Sequence, residues 1–500
     1  MALFVTSIAA IGAAHGVYAV ERPPPSIILP AGTGRAGIVG QFSWGPVQIE
    51  TGPDLNADRT QKFQPLGMSR ANSAWLMLKS TSYPELCVVR VLGVGAVAAT
   101  ATVNKTGPTP MLTVTLKFPG SQGDNVVASV MDASDGDPNH FQLQVTVSNA
   151  EGTTTDIIDN INFSGVGADS VIDFTNAVLI GGITKLAAGS PTRGQVTFSG
   201  GTDGAAITAN DYVGTQGSTD KGISLFEGDP LMRHVYVDDC GNSLRAAVNA
   251  GLEAHANYLL DRTVYLSGNS GLSSAGAITD ANSYESTNVV YVDPWVYVFD
   301  DLGNRQQIPP ACFGASLGAS VSPSTSFAWR DDSVRRLLSA IQGVVSNRLA
   351  QAPQQTLQGI STIVPYSKGG YCFYAAKVTI APANPAKANW TRTQMGIYIA
   401  SSVTASLQSD VDAPNVPVNQ NDVVTAIDEF LDQLVANKDE NPNTAPYILG
   451  YTKVPTSDSN TQFSLDSGNF IVERNIKIGS SMERIIFSVQ FGETVQITAS

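Results

Sequence analysis

NFIVERNIKIGSSMERIIFSVQFGETVQITAS, residues 469–500, is the stretch on which the reading of the chain turns. Ile485, Phe487, Val489 and Phe491 share one face at period two, and Arg484, Ser488 and Gln490 share the other, with Ile486 as the exception. That alternation predicts a half-buried β-strand. Gly492 interrupts it, and Val495 and Ile497 resume it. An apolar strand at a chain end frays unless a sheet holds it. Residues 482–500 are therefore expected to pair either with a sheet of their own fold or with a sheet of a neighbouring copy.

Composition narrows the class. Charged residues make up 14% of the chain, well below the usual quarter, and apolar residues make up 43%. The chain is globular, rich in Gly, Ser, Thr, Asn and Val, and its surface offers little like-charge resistance to packing against copies of itself. A net charge of −14 argues against nucleic acid as a main partner, because phosphate binding needs a basic surface. Cys87, Cys240, Cys312 and Cys372 are scattered, with no CxxC spacing, so neither a zinc site nor a redox dithiol is indicated. Cys87 and Cys372 read as small buried hydrophobes within strands. Met1–Ala14 is similar to a secretory apolar region but lacks a cationic start, the first Lys or Arg being Arg22. No apolar run is long enough to span a bilayer, and no membrane insertion is expected.

Taken in order, residues 16–20 (GVYAV) read as a strand, stopped by Pro23, Pro24 and Pro25, whose fixed φ enforces an extended path. Ile27–Leu29 and Ala36–Phe42 follow as strands, and Phe63–Lys79 has helical spacing. Leu86–Leu92 is a continuous apolar run, expected as a central strand buried on both faces. Residues 104–201 shift to short Thr/Val-rich runs between Gly, Asn and Asp turns, which predicts an inserted all-β domain. An α/β rhythm then appears. His234–Val237 reads as a strand, Asn242–Leu259 as a helix striped by Leu244, Val248, Leu252, His255 and Leu259, and Arg262–Leu266 and Val289–Phe299 as further strands. Together they imply parallel βαβ connections. A helix capped by Asp331 or Asp332 is expected to run to Leu349, followed by strands at Ile360–Val364 and Tyr371–Ile380. Beyond a boundary at Pro382–Pro385, helices at Thr391–Leu407 and Asp422–Val435 and strands at Tyr447–Val454 and Phe470–Ile478 predict an α+β domain.

Catalytic and cofactor patterns are present only as letters. Residues 314–318 (GASLG) match a nucleophile elbow, but that fold places its His after the Ser. All four histidines, His15, His140, His234 and His255, precede Ser316. Residues 32–37 (GTGRAG) match a dinucleotide fingerprint, yet the following IVGQFSWGP reads as strand and turn instead of the required helix. Asp132–Asp137 misses the spacing of a calcium loop and reads as a solvated turn. His255 on an apolar stripe reads as a core histidine. The pairs Asp238–Asp239 and Asp300–Asp301 end strands and read as turn residues. No catalytic, cofactor or metal site is expected, and the chain is not read as an enzyme.

Several stretches, in order, resemble the contractile-tail sheath family of bacteriophages and related injection machines. Residues 15–27 (HGVYAVERPPPSI) resemble that family's opening PGVYxxE strand, with His15 in place of Pro, and residues 36–46 (AGIVGQFSWGP) resemble its next segment. Residues 118–126 (FPGSQGDNV) are similar to the turn that opens its inserted β-domain. Residues 198–214 (FSGGTDGAAITANDYVG) are similar to the motif that returns the chain to the main domain. Residues 289–318 resemble the YxPWV…PPS segment. Residues 359–379 (GISTIVPYSKGGYCFYAAKVT) resemble a further one, with Lys377 where the family has Arg and Tyr374 where it has Trp.

The resemblance implies a multidomain α/β and α+β chain. Its parts are an N-terminal arm (1–30), an α/β core in two parts (31–103 and 204–383), an inserted β-rich domain (104–203), a C-terminal α+β domain (384–478) and a C-terminal β-arm (479–500). It further implies a virion tail subunit, assembled in the host cytoplasm, that polymerises as stacked rings, six-fold in symmetry, around an inner tube and meets baseplate and terminator proteins. Arm residues Val17, Tyr18, Ala19 and Val20 at one end, and Ile485, Phe487, Val489 and Phe491 at the other, are expected to add strands to sheets of adjacent copies. A secreted surface-layer or adhesin subunit and an α/β hydrolase are the alternatives.

Overall fold

The structure, a computed structural model, describes residues 3–5, 18–20, 28, 35–42, 44–48, 86–105, 107–149, 152–299, 303–328, 338–380, 387–408, 411, 414–436 and 447–479. They fall into two compact units, one from Met1–Gly32 and Gln394–Gly479, the other from Thr33–Thr393. In the first unit, β1 (Leu3–Val5) and β2 (Tyr18–Val20) pair in parallel, Leu3 opposite Tyr18 and Val5 opposite Val20.

The larger unit begins with β3 (Arg35–Gly40) and β4 (Leu86–Arg90), which pair in parallel. From β4 the chain enters a β-rich insertion of β5 (Thr100–Asn104), β6 (Pro110–Leu116), β7 (Val127–Asp132), β8 (His140–Asn149), β9 (Gly152–Asn162), β10 (Ile180–Lys185) and β11 (Gly194–Thr197). These form a three-stranded sheet, β10-β6-β5, and a four-stranded one, β11-β7-β8-β9. Alternate residues of both, such as Leu112 and Val114 from one and Val130, Leu143 and Val145 from the other, turn into a single apolar cluster. This is the two-sheet packing that period-two patterning produces.

One charge points into that insertion. Asp156 is nearly buried, and its carboxylate accepts the backbone N–H groups of Val178 (3.1 Å), Leu179 (2.6 Å) and Ile180 (2.9 Å). Asp156→Ala leaves three amides without their acceptor and is expected to cost about 3 kcal/mol or more. A drop in the denaturant midpoint of the insertion measures it, and a change under 1 kcal/mol would show that water satisfies these groups.

The chain returns through a short helix, α1 (Ala209–Val213), to β12 (Met232–Val237), α2 (Asn242–Leu259), β13 (Thr263–Ser267), α3 (Ser274–Ala281) and β14 (Val289–Asp293). It continues with β15 (Val296–Phe299), β16 (Arg305–Ile308), α4 (Ala311–Ser320), β17 (Ile341–Val344), α5 (Ala352–Leu357), β18 (Ile360–Pro365) and β19 (Tyr371–Phe373). The main sheet has the order β19-β18-β14-β13-β12-β3-β4, parallel except for β19. Its strands are buried on both faces, as helix-covered parallel strands must be. Tyr236, Tyr265, Val290 and Val292 face a cluster with α4, while Val235, Val264, Leu266 and Val289 face one with α2 and α3.

Four expectations are corrected here. Ile341–Val344 is a strand pairing with β15, not part of a helix running from Asp331 or Asp332 to Leu349, because Ile341 and Gly343 alternate into a second sheet, β16-β15-β17. The run Val289–Phe299 is two strands in different sheets. Pro294 has no N–H with which to continue the ladder, and the Asp293 carboxylate is held by Arg348 (2.8 Å) and Gln355 (2.9 Å). Among the described residues, the run at Leu86 lies at the sheet edge, not its centre. It is apolar because both faces are covered there too, and the Pro46 carbonyl takes the Arg90 N–H on the outer side. The expected strand at Tyr371–Ile380 stops at Phe373. The expected helix at Phe63–Lys79 and the boundary at Pro382–Pro385 lie outside the described residues.

In the smaller unit, α6 (Trp390–Leu407, which begins in the larger one) and α7 (Pro417–Ala436) accompany β20 (Ile448–Lys453) and β21 (Arg474–Ile478). Met395, Ile399, Phe430, Leu431 and Leu434 form its apolar cluster with Ile448, and Ile28 is buried in the same cluster. Among the described residues, no helix is long and apolar enough to cross a membrane.

Candidate assembly surfaces

β20 and β21 pair antiparallel, Tyr451 opposite Ile476 and Lys453 opposite Arg474, and among the described residues they pair with nothing else. A two-stranded sheet is marginal in water unless something covers a face. Here α7 supplies the cover, and a charge cluster fixes the register. Asp428 on α7 takes two hydrogen bonds from Arg474, Nε at 2.6 Å and Nη2 at 3.1 Å, and pairs with Lys453 at 3.0 Å. The Tyr451 hydroxyl donates to Asp432 at 2.9 Å. Among the described residues, both outer edges of the sheet present main-chain groups that an added strand can pair.

Burial alone would raise the Asp428 carboxyl, but the bonds from Arg474 and Lys453 outweigh it and hold the group below the ordinary carboxylate range. A carboxyl depressed in the folded state contributes stability above its unfolded pKa and loses it as pH falls through the folded value. Acidification below about pH 4 is therefore expected to loosen β20–β21 from α7. Hydrogen exchange of the Tyr451 amide against pH reads this, and Asp428→Asn should flatten the profile.

Of the expected arm residues, Tyr18, Ala19 and Val20 form β2 and meet β1. Val17, Ile485, Phe487, Val489 and Phe491 lie outside the described residues.

The larger unit has the strand order in which a ligand crevice opens between the carboxyl ends of β3 and β12. The Asp239 carboxylate sits at the start of α2, accepting the Gly241 N–H at 2.9 Å and bonding Arg245, where an anion would otherwise bind. Gly37 of the fingerprint lies inside β3, and a Cβ there would come within 2.7 Å of the Phe226 ring, so close packing explains that glycine. Ser316 lies within α4, not on a strand-to-helix turn. His255 is buried beside Arg262, and burial with that cation pushes its pKa down to about 3. All four cysteines are buried and none is in a disulfide. Among the described residues, no group of His, Cys, Asp or Glu is placed to hold a metal ion.

The residue that sequence reasoning passed over is Arg90. Its side chain is fully buried where the insertion leaves the core. Nε donates to the Phe42 carbonyl at 2.6 Å, Nη1 donates to those of Pro119 (2.6 Å) and Gly45 (3.3 Å), and Asp203 lies 3.8 Å from Nη2. Burial lowers its pKa to about 10, and Asp203 offsets part of that. Two of the quoted motifs meet at the same junction. Asp203 of GGTDG bonds the Ser121 N–H (3.2 Å) and hydroxyl, and Asp124 of the other accepts the Gly201 N–H at 2.8 Å. The two linkers also bond main chain to main chain, Gly93 to Asp203 and Ala205 to Val94, each at 3.0 Å. A Cβ on Gly93 would lie 1.8 Å from the Ala205 carbonyl oxygen. Trp44, from the loop after β3, is buried in the insertion core, edge-on to Phe118 at 5.4 Å. The signal for Arg90 was a single cation inside an apolar run.

A parallel sheet joined to a two-sheet insertion, together with an α+β unit, is an arrangement found in several solved structures described as sheath proteins. The sheath tail protein of Desulfitobacterium hafniense is similar over 84% of this chain and 89% of its own, at 15% identity and a TM-score of 0.57. That of Listeria innocua is similar over 82% and 87%, at 13% identity and 0.56. The anti-feeding prophage helical sheath in its contracted state is similar over 97% and 99%, at 12% identity and 0.52. The chain thus has the mixed α/β fold of tail sheath proteins. No family model matches the sequence, and no curated protein matches it.

Proposed function

We propose that this chain is the structural subunit of a contractile tail sheath. The observation that carries the reading is the β20–β21 sheet, held in register on α7 with both edges unpaired among the described residues, in a chain with the sheath fold. Strands from neighbouring copies complete that sheet: Val17–Val20 from one, and the stretch bearing Ile485, Phe487, Val489 and Phe491 from another. Main-chain bonds give direction, and alternate side chains set register. Ile28, buried in the unit that carries this sheet, anchors the N-terminal arm, and Pro23–Pro25 hold the arm extended beyond it.

Such head-to-tail contacts do not close in pairs, so they propagate as a helical array of stacked rings, six-fold in symmetry, around an inner tube. The array ends at baseplate and terminator proteins, is located in the tail and is built in the host cytoplasm. The domain division proposed is 1–30, 31–103 with 204–383, 104–203, 384–478 and 479–500. Contraction is rigid-body rotation and sliding into tighter packing, with the shared strands as hinges, and its free energy comes from new contacts. Negative-stain microscopy of the purified chain tests the reading. Tubes of stacked rings are expected, and a monodisperse monomer at high concentration would overturn it.

A further inference from the structure

The outer face of the four-stranded sheet in the insertion is unlike the rest of this acidic chain. The register places Gln195, Ser129, Gln144 and Ile157 side by side in one row, with Thr146 and Thr155 in the next. Their neighbours along the strands, Val196, Ala128, Val145 and Asp156, point the other way, into the core. The outward row is half-buried or exposed, Ile157 at 58%. No side chain in these two rows carries a charge or an aromatic ring, while the chain as a whole has 43 acids against 29 bases. The charges gather toward one rim, where Arg193 pairs with Asp132 at 2.8 Å, His140 pairs with Asp135 at 2.5 Å and Asp159 accepts the Ser134 N–H at 3.2 Å.

We propose that this face is a contact between copies of the chain, made only inside the assembled sheath, and it rests on the sheath reading above. The chemistry selects the occupant. A nucleic acid would need cations on the face, and a face that gripped sugar rings would present aromatic planes. A second copy of a chain with net charge −14 meets least repulsion where neither surface is charged. Desolvation is mild, because the hydroxyls of Thr146 and Thr155 (3.1 Å) and of Ser148 and Thr153 (2.9 Å) already bond to each other across the strands. Area decides the setting. Four strands by about seven residues cover roughly 450 Å², against about 800 Å² per partner in a stable pair. The face is too small to join free chains and acts only where other contacts already hold copies together.

The test uses full-length chain bearing Ile157→Cys, or Val171→Cys as control, Val171 being fully exposed in the same insertion. The native cysteines are buried, so a bulky maleimide reports the introduced thiol. Expected is at least tenfold slower labelling of Ile157→Cys in tubes than in dispersed subunits, with Val171→Cys unchanged. Equal labelling of Ile157→Cys in both states overturns the contact, and so does equal protection at both positions. A wild-type chain that forms no tubes removes the sheath reading itself, a result seen by microscopy before any labelling.

Discussion

Deleting Met482–Ser500 is expected to leave a chain that folds and no longer polymerises. The segment carries the apolar face Ile485, Phe487, Val489 and Phe491, and under the strand-exchange proposal it serves the neighbour's sheet, not the donor's own core. Its loss therefore leaves the donor's clusters on both sides of the main sheet intact. What disappears is one strand's worth of main-chain bonds and buried apolar side chains at every subunit contact. Even about 4 kcal/mol per contact raises the concentration needed for assembly roughly a thousandfold. Microscopy should show no tubes, while circular dichroism and the melting temperature of the larger unit stay close to wild type. Normal tubes from the truncated chain would refute strand exchange at this end. Phe487→Asp, one charge on the apolar face, is expected to weaken assembly in the same direction by a smaller factor.

The second large effect is expected at Arg90. Arg90→Ala removes the donor shared by the Phe42, Gly45 and Pro119 carbonyls and opens a buried void. Leaving buried acceptors unpaired costs about 1–3 kcal/mol each, less whatever water recovers, so a loss of about 3–5 kcal/mol is expected. Arg90→Lys should rescue little, because one ammonium cannot reproduce a planar fork that reaches three acceptors in different directions. Asp203→Asn should cost under about 1 kcal/mol, since Asp203 is half-exposed and its contact with Arg90 is long. Denaturant unfolding gives the magnitudes. Limited proteolysis at residues 91–99 and 199–206 gives the location, because loosening the weld should expose those linkers first. A wild-type cleavage pattern in Arg90→Ala would show that the glycine-packed linkers hold the insertion unaided.

Much of the fold could be read from spacing alone. The helix at Asn242–Leu259 has the bounds expected from its stripe. The strands His234–Val237 and Ile360–Val364 and the insertion's short Thr/Val runs were visible too, because local periodicity and turn residues suffice where an element's neighbours only confirm its preference. The two motifs bracketing the insertion were visible as letters, but not that Asp203 and Asp124 tie one to the other. Of the proposed site, the alternation of the arms was legible. The acceptor sheet was legible as two strands, but not as a sheet whose outer edges are unpaired among the described residues.

What the sequence by itself determined is the list of amphipathic pieces and the polarity of their faces, since a side chain's aversion to water needs no partner to express it. What only the tertiary structure decided is which backbone groups meet. Ile341–Val344 pairs as a strand beside β15, Val289–Phe299 divides between two sheets, the apolar run at Leu86 stands at an edge, and a lone arginine becomes a weld. Main-chain donors and acceptors are the same at every residue, so their pairing is set by the elements that arrive alongside.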